Sequence, residues 1–269
     1  MDKRPVVFLD SGLGSLPYAG FFHSRNKGEC VVCIGDSANF PYGTKSKETL
    51  VKLVLSLTDK ILARYDPKII AVACNTISVS ALEALREHVP LVPVVGTVPA
   101  IKPAVLASRK RRVGVLGTQR TIEDPYIFKL AAQYGKDCAI AGIAAPELVE
   151  FAEHRYAASN SAERLEAVRP YIEKFRSAGA DAVVLACTHF LLLRDEFAAA
   201  AGTDMGIHDS VEGVARRVEF FLDRDNRRLR TDPGAGECTP RIAVTGEEAM
   251  EPHWEQLCRR FGFMPQGNL

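Results

Sequence analysis

The sequence lacks the features of membrane proteins and of proteins that bind polyanions. No apolar run approaches the roughly 20 residues that a membrane-spanning helix needs. The N-terminal stretch MDKRPVVFLD leads into a short strand-like run, so we do not expect a signal peptide there. The formal net charge is only +1, and the basic residues of ARRVEFFLDRDNRRLR are interleaved with acids, which is typical of a solvated helix. We therefore expect neither nucleic acid nor an anionic membrane as the main partner.

A disulfide framework and a metal site are also not indicated. The seven cysteines are an odd number scattered over 269 residues, which favours reduced thiols in the cytosol. Cys30 and Cys33 have C-x-x-C spacing, but no second pair accompanies them, and on a strand they would point to opposite faces. We therefore expect Cys30, Cys33, Cys138, Cys238 and Cys258 to be small apolar side chains, and we expect no bound metal.

Short β-branched runs alternate with longer stretches of helical periodicity. With 47% hydrophobic and 25% charged residues, this pattern predicts a globular α/β protein whose strands are mostly parallel and covered by helices. The clearest helix spans about Ser46–Tyr65, with Ser46 as N-cap and Glu48 in its first turn. The predicted strands are Val6–Leu9, Cys30–Ile34, Ile69–Ala73, Val92–Val95, Arg112–Leu116, Ala139–Ile143, Ala182–Ala186 and Arg241–Val244.

The strand pattern is repeated within the chain. VVFLDSG is followed by IIAVACNT with Cys74, and later RVGVLGT is followed by AVVLACTH with Cys187. This repeat predicts two similar α/β domains related by a pseudo-twofold axis, with the active site in the cleft between them. We expect residues 1–97 plus 208–269 to form the first domain and residues 98–207 the second, joined through the proline-rich stretch PLVPVVGTVPAIKP.

Polar residues follow several of the predicted strands. In open α/β sheets, ligands bind outside the carboxyl ends of the strands, so these residues are expected at one edge. Small polar side chains can hold amino-acid-like groups, and the N–H groups at helix starts suit a carboxylate. The residues are Asp10, Ser11, Cys74, Asn75, Thr76, Thr118, Cys187, Thr188 and His189.

Cys74 and Cys187 occupy equivalent positions, which would place one thiol on each side of a shared cleft. Two opposed thiols suit the inversion of a carbon acid, because one thiolate can remove a proton while the other thiol delivers one to the opposite face. A free thiol has a pKa of about 8.5, and helix N-termini or a neighbouring imidazolium could lower it. Asp10 and His189 are the expected assistants, although Asp10 could instead cap the next helix and His189 could instead bind backbone carbonyls.

At these residues the sequence resembles the cofactor-independent aspartate/glutamate racemase family. The resemblance runs from Asp10 to about Ser210, and GDSANFPYG favours the glutamate branch. The chain departs from the family pattern in DSGLGSLPYAGFF, where Pro17 suits only the first turn of a helix, and in CTHFLLL, which lacks the usual Tyr-Pro. The motifs that carry the resemblance are DSGLG, GDSANFPYGTKS, ACNTISVSAL, VPVVGTVPAIKPA, GVLGTQRTIEDPY, LACTHFLLL and HDS.

The resemblance implies a cytoplasmic, homodimeric isomerase that interconverts L- and D-glutamate without pyridoxal phosphate, metal or nucleotide. Its product D-glutamate would serve peptidoglycan biosynthesis and hence the cell wall and cell shape. It implies that Cys74 and Cys187 are the catalytic acid/bases, assisted by Asp10 and His189. It also implies that Glu153 is a catalytic residue that matches a family glutamate, although Ala145 and Glu150 replace the usual Cys and Pro near it. The implied substrate-binding residues are Asp10, Ser11, Tyr42, Gly43, Asn75, Thr76, Thr118, Thr121, Thr188 and His189.

Three other functions are compatible with parts of this pattern. A related racemase acting on aspartate or another carbon acid would use the same cysteines. A single-cysteine hydrolase or transferase would use Cys187 and His189 and would not need Cys74. A binding protein built on a racemase scaffold would need neither cysteine, so the presence of both argues against it.

Overall fold

The computed structural model describes residues 2–135, 137–229, 238–246, 250 and 252–269. The sequence predicts a loop of unassigned function at residues 229–240, of which residues 230–237 lie outside the described residues. Among the helices of the described ranges, none is both long and apolar enough to cross a membrane.

One or two helices follow most of the described strands along the chain. The strands are β1 (Val6–Asp10), β2 (Val31–Gly35), β3 (Ile69–Val72), β4 (Val94–Gly96), β5 (Arg112–Gly117), β6 (Ala139–Ala144), β7 (Ala182–Ala186), β8 (Gly206–His208), β9 (Arg241–Val244) and β10 (Met264–Asn268). The helices are α1 (Leu16–Arg25), α2 (Lys47–Tyr65), α3 (Asn75–Ser80), α4 (Leu82–His88), α5 (Ile101–Ala107), α6 (Gln119–Glu123), α7 (Pro125–Tyr134), α8 (Pro146–Glu150), α9 (Ser161–Ser177), α10 (Arg194–Ala201), α11 (Val211–Arg224) and α12 (Pro252–Arg260). The predicted α/β class is therefore confirmed.

The chain divides into two compact units. The first unit comprises Met1–Thr97 with Val211–Leu269, and the second comprises Val98–Ser210. The expected return to the first domain at residue 208 differs from this division. Because β8 pairs in parallel with β7, residues 208–210 stay with the second unit.

Each unit is built on its own parallel sheet. The first sheet has the strand order β10-β9-β2-β1-β3-β4, and the second has the order β6-β5-β7-β8. All strand pairs in the described part of the chain are parallel. Every residue of β1, β2, β3 and β7 is buried, as expected for strands that are covered on both faces. The strand ends that carry the predicted site residues thus lie at one edge of each sheet.

Helix α2 covers one face of the first sheet. Ser46 is its N-cap, and the Ser46 side chain accepts a hydrogen bond from the Thr49 backbone N–H, which satisfies one of the donors that a helix start leaves unpaired. Its buried stripe joins the core that also contains residues of β1, β2 and β3. The stripe consists of Leu50, Val54, Leu57, Thr58 and Ile61.

Lys68 and Glu29 form a buried ion pair close to the N-terminal ends of β3 and β2. The Lys68 side chain is fully buried, and its Nζ lies 2.5 Å from Glu29 Oε2. Lys68 Nζ also donates to the backbone carbonyls of Asp2 and Arg227, each at 3.0 Å. Glu29 Oε1 accepts from the Leu229 backbone N–H at 2.9 Å. The pair therefore ties the start of β3 to the segments before β1, before β2 and after α11.

The prediction that Cys30 and Cys238 are separate thiols is wrong. Their sulfur atoms are bonded, and their Cα atoms lie 5.1 Å apart. The parallel pairing of β2 with β9 brings the residues that precede the two strands side by side. Because Cys30 and Cys238 are 208 residues apart in sequence, neither the spacing nor the odd total of cysteines could indicate the bond.

Thiol titration in denaturant checks this bond. We expect five reactive thiols before reduction and seven after it. The variant Cys30→Ser should show six before reduction, because the Cys238 thiol is then released. Seven thiols in the unreduced wild-type chain would show that the bond is absent in solution.

Candidate active site

The carboxyl edge of the first sheet carries a buried thiol. Cys74 follows β3 and occupies the N-cap position of α3 with an extended backbone. Its side chain belongs to the same buried cluster as Tyr42 and Ile77. The chain therefore presents Cys74 at the point where a parallel strand turns into a helix.

Asp10 ends the neighbouring strand β1 and is completely buried. Asp10 Oδ1 accepts from the Ser11 backbone N–H at 2.6 Å and from Ser11 Oγ at 3.3 Å. Because β1 pairs with β3, Asp10 at the end of β1 and Cys74 after β3 lie at the same edge of the sheet. A carboxyl group and a thiol thus lie at the same sheet edge, and we call the predicted site residues at this edge of the first sheet the Cys74 half-site.

Tyr42 begins the helical turn Tyr42–Thr44, which also contains the half-buried Gly43 and contacts α3. The Tyr42 hydroxyl donates to Asp36 Oδ2. Burial, the Asp36 carboxylate and the nearby Cys74 and Asp10 all raise the pKa of Tyr42, so its hydroxyl keeps its proton at neutral pH.

Asn75 and Thr76 open helix α3 and are almost fully buried. Neither the amide oxygen nor the amide nitrogen of Asn75 has a hydrogen-bond partner among the described residues. A buried amide without partners costs about 1–3 kcal/mol, which a polar ligand can offset by hydrogen-bonding to it. Asn75 is therefore equipped to bind a polar group beside Cys74.

The second unit presents its own thiol at the end of β7. Cys187 is buried and precedes the helical turn Thr188–Leu193. Its Sγ lies 3.8 Å from His189 Nδ1, and His189 Nε2 lies 2.8 Å from Glu153 Oε2. Glu153 sits in the π-helical turn Phe151–Arg155, a type of turn that is often found at functional sites. Glu153, His189 and Cys187 thus form a chain of contacts from a buried carboxylate to a thiol.

Thr118 and Thr121 lie at the end of β5, next to β7 in the second sheet. Thr118 is the N-cap of α6, its Oγ1 accepts from the Thr121 backbone N–H at 3.3 Å, and the two hydroxyl oxygens are 3.0 Å apart. Thr121 and Thr188 are buried. These hydroxyls lie at the same sheet edge as Cys187.

Within the first unit the structure brings together the predicted residues Asp10, Ser11, Tyr42, Gly43, Cys74, Asn75 and Thr76. Within the second it brings together Thr118, Thr121, Glu153, Cys187, Thr188 and His189. Sequence reasoning missed Asp36, although Asp36 follows β2 inside GDSANFPYG and could have been found by the strand-end rule.

Removing the charge of Glu153 should weaken its interaction with His189, which in turn contacts Cys187. For a reaction in which Cys187 takes part, we expect Glu153→Gln to lower the rate roughly 10²-fold, because a neutral amide no longer stabilises a positive charge on His189. The matched control is Glu150→Gln, which changes an exposed carboxylate beside the same turn. Steady-state rates of both variants check the prediction, and a wild-type rate in Glu153→Gln would contradict it.

Each unit has a parallel sheet and a buried cysteine that follows one of its inner strands. The presence of two such units in one chain is a feature of few classes of protein. The sequence model of the family described as Asp/Glu/Hydantoin racemase matches residues 23–217. This chain belongs to that racemase family.

Individual relatives agree with this assignment. The chain is 43% identical over 217 residues to the glutamate racemase of Treponema pallidum (strain Nichols), covering 81% of each chain. It is 37% identical over 244 residues to that of Sphingopyxis alaskensis, covering 90% of this chain and 86% of the relative. The crystal structure of Escherichia coli glutamate racemase in complex with L-glutamate and the activator UDP-MurNAc-Ala superposes with a TM-score of 0.80, at 31% identity, covering 99% of this chain and 98% of that one.

Proposed function

We propose that this chain interconverts L- and D-glutamate by proton transfer at the α-carbon between two thiols. The observation that carries the proposal is the buried cysteine that follows a central strand in each unit, Cys74 after β3 and Cys187 after β7. We propose glutamate as the substrate because the similar proteins are named glutamate racemases.

In the proposed reaction, the thiolate of one cysteine removes the α-proton and becomes a thiol. The resulting carbanion takes a proton from the thiol of the other cysteine on its opposite face, and that thiol becomes a thiolate. In the reverse direction the two cysteines exchange roles. Asp10 assists proton movement on the Cys74 side, and His189 with Glu153 assists on the Cys187 side.

The remaining polar residues would bind the ends of the substrate. Hydroxyl and amide groups and the N–H groups at the starts of helices suit two carboxylates and an ammonium group. The proposed binding residues are Ser11, Tyr42, Gly43, Asn75, Thr76, Thr118, Thr121 and Thr188.

We also propose the setting in which this reaction takes place. The two units would act as two domains of one enzyme, in a cytoplasmic homodimer that needs no cofactor. The D-glutamate would be used for peptidoglycan. Family resemblance and the division of the chain into two units support these points.

The test incubates the purified chain separately with L-glutamate, D-glutamate and L-aspartate in D₂O without added cofactor. Circular dichroism follows inversion, and NMR follows deuterium entering the α-position. We expect inversion and deuteration of both glutamate enantiomers. Inversion of aspartate alone would keep the mechanism and change the substrate, while no inversion and no deuteration would refute the proposal.

A further inference from the structure

Thr245 follows β9 and binds the loop that leaves the carboxyl end of β2. Its backbone N–H donates to the Gly35 carbonyl at 3.0 Å. Its carbonyl accepts from Ser37 Oγ at 2.6 Å, and its Oγ1 accepts from the Ala38 backbone N–H at 3.1 Å. The Thr245 hydroxyl in turn donates to Asp36 Oδ1. One residue from the C-terminal part of the chain therefore fixes four consecutive residues of this loop.

Asp36 links Thr245 to Tyr42. Its buried carboxylate accepts from Thr245 on Oδ1 and from the Tyr42 hydroxyl on Oδ2. Asn39 Nδ2 lies 3.1 Å from Oδ1 and 3.0 Å from Oδ2. A carboxylate with donors on both oxygens has one fixed orientation, and this orientation decides where the Tyr42 proton points.

The direction of the Tyr42 proton determines what Tyr42 offers to a substrate. Since its hydrogen is donated to Asp36, the Tyr42 oxygen is left with lone pairs and acts as an acceptor. Tyr42 belongs to the same buried cluster as Cys74, and the Cys74 thiol is close enough to contribute to the raised pKa of Tyr42. An N–H or S–H donor in the Cys74 half-site is therefore the partner that this arrangement favours.

We propose that Thr245 is a positioning residue that acts through Asp36 to hold the Tyr42 hydroxyl as a hydrogen-bond acceptor in the Cys74 half-site. The inference rests on the proposed function for its kinetic consequences. Thr245 lies beyond residues 23–217, so the match to the family model does not include it.

The test compares Thr245→Val, which removes the hydroxyl at nearly constant volume, with Thr245→Ser, which keeps it. The matched control is Thr58→Val, because Thr58 is also buried in the first unit and its hydroxyl donates only within α2, to the Val54 carbonyl at 2.7 Å. We expect Thr245→Val to raise the KM for glutamate about 10-fold with little change in kcat, which corresponds to one lost hydrogen bond to a charged group. Thr245→Ser and Thr58→Val should keep the wild-type KM.

A double-mutant cycle with Tyr42→Phe separates positioning from general destabilisation. If Thr245 acts through Tyr42, Thr245→Val should add almost nothing to the KM of Tyr42→Phe. Fully additive effects, or a KM rise of equal size in Thr58→Val, would overturn the inference. Thr245→Ala takes the place of Thr245→Val if the latter does not fold.

A spectroscopic measurement tests the link independently of activity. With ¹³C at tyrosine Cζ, the Tyr42 signal should shift in Thr245→Val and stay in place in Thr58→Val. A wild-type chain that does not racemise glutamate would refute the proposed function, whereas an unmoved Tyr42 signal in Thr245→Val would refute the positioning role.

Discussion

Replacing either Cys74 or Cys187 by serine is expected to slow the inversion of glutamate about 10²–10⁴-fold in both directions, the range that general acid–base groups contribute. In the proposed mechanism, each thiol acts as base in one direction and as acid in the other. A serine hydroxyl is far too weak an acid to do either at neutral pH. The loss should therefore be the same whether the reaction starts from L- or D-glutamate.

Deuterium incorporation distinguishes the two half-reactions. A chain with one remaining thiol can still remove the α-proton from the enantiomer that faces it, and can return a deuteron to the same side. We expect each serine variant to deuterate a single enantiomer without inverting it, with opposite preferences for Cys74→Ser and Cys187→Ser. NMR of the α-position in D₂O measures this directly.

The control for both variants is Cys138→Ser, which removes a free, half-buried thiol in the second unit that follows no strand end. It should invert glutamate at the wild-type rate. Normal inversion in Cys74→Ser would rule out the two-thiol mechanism. Hydrolase or transferase activity that needs only Cys187 and His189 would then be the function to test.

Replacing Lys68 by methionine is expected to lower the free energy of unfolding by about 3–5 kcal/mol, because it leaves the Glu29 carboxylate buried without its cation. For a chain of this size that corresponds to a fall in Tm on the order of 10 °C. Methionine has a volume similar to that of lysine, so the change removes the charge with little loss of packing. Denaturant unfolding and calorimetry of the variant measure the effect.

The double variant Lys68→Met with Glu29→Gln should recover much of this loss, since no buried charge then lacks a partner. The matched control is Arg216→Met, which breaks the exposed pair of Arg216 with Glu212 in α11 and should change stability little. A Lys68→Met chain as stable as the Arg216→Met chain would show that the buried pair contributes nothing.

Much of the fold follows from local patterns. All eight predicted strands are present with ends moved by at most two residues, and α2 begins after Ser46 as predicted. The sequence pattern did not predict strands β8 and β10, and the length of the first and the composition of the second explain why. Strand β8 has only three residues, and β10 (Met264–Asn268) contains Pro265 and Gly267 at the edge of its sheet, where missing hydrogen bonds are tolerated.

Some features of the candidate site could likewise be predicted from the sequence, and others could not. Residues such as Asp10 and Cys74 could be placed from sequence because parallel strands bring their carboxyl ends to one edge. The contacts of Asp36 with Thr245 and of Cys30 with Cys238 could not, because they depend on β2 pairing with a strand about 200 residues away. The register between two distant strands depends on how the whole sheet packs, so the sequence near either strand does not indicate it.

The strand order of the first sheet has a consequence for protein synthesis. The second unit is one continuous segment, so it can fold while the ribosome is still translating the remainder. The first unit cannot complete its sheet until β9 and β10 have emerged, because both follow the second unit in the sequence and β9 pairs with β2. A nascent chain stopped before Arg241 would contain every predicted catalytic residue and would still lack both β9 and Thr245, which binds the loop after β2. Activity in vivo should therefore require the synthesis of β9 and β10, and the N-terminal strands remain in an incomplete sheet until then.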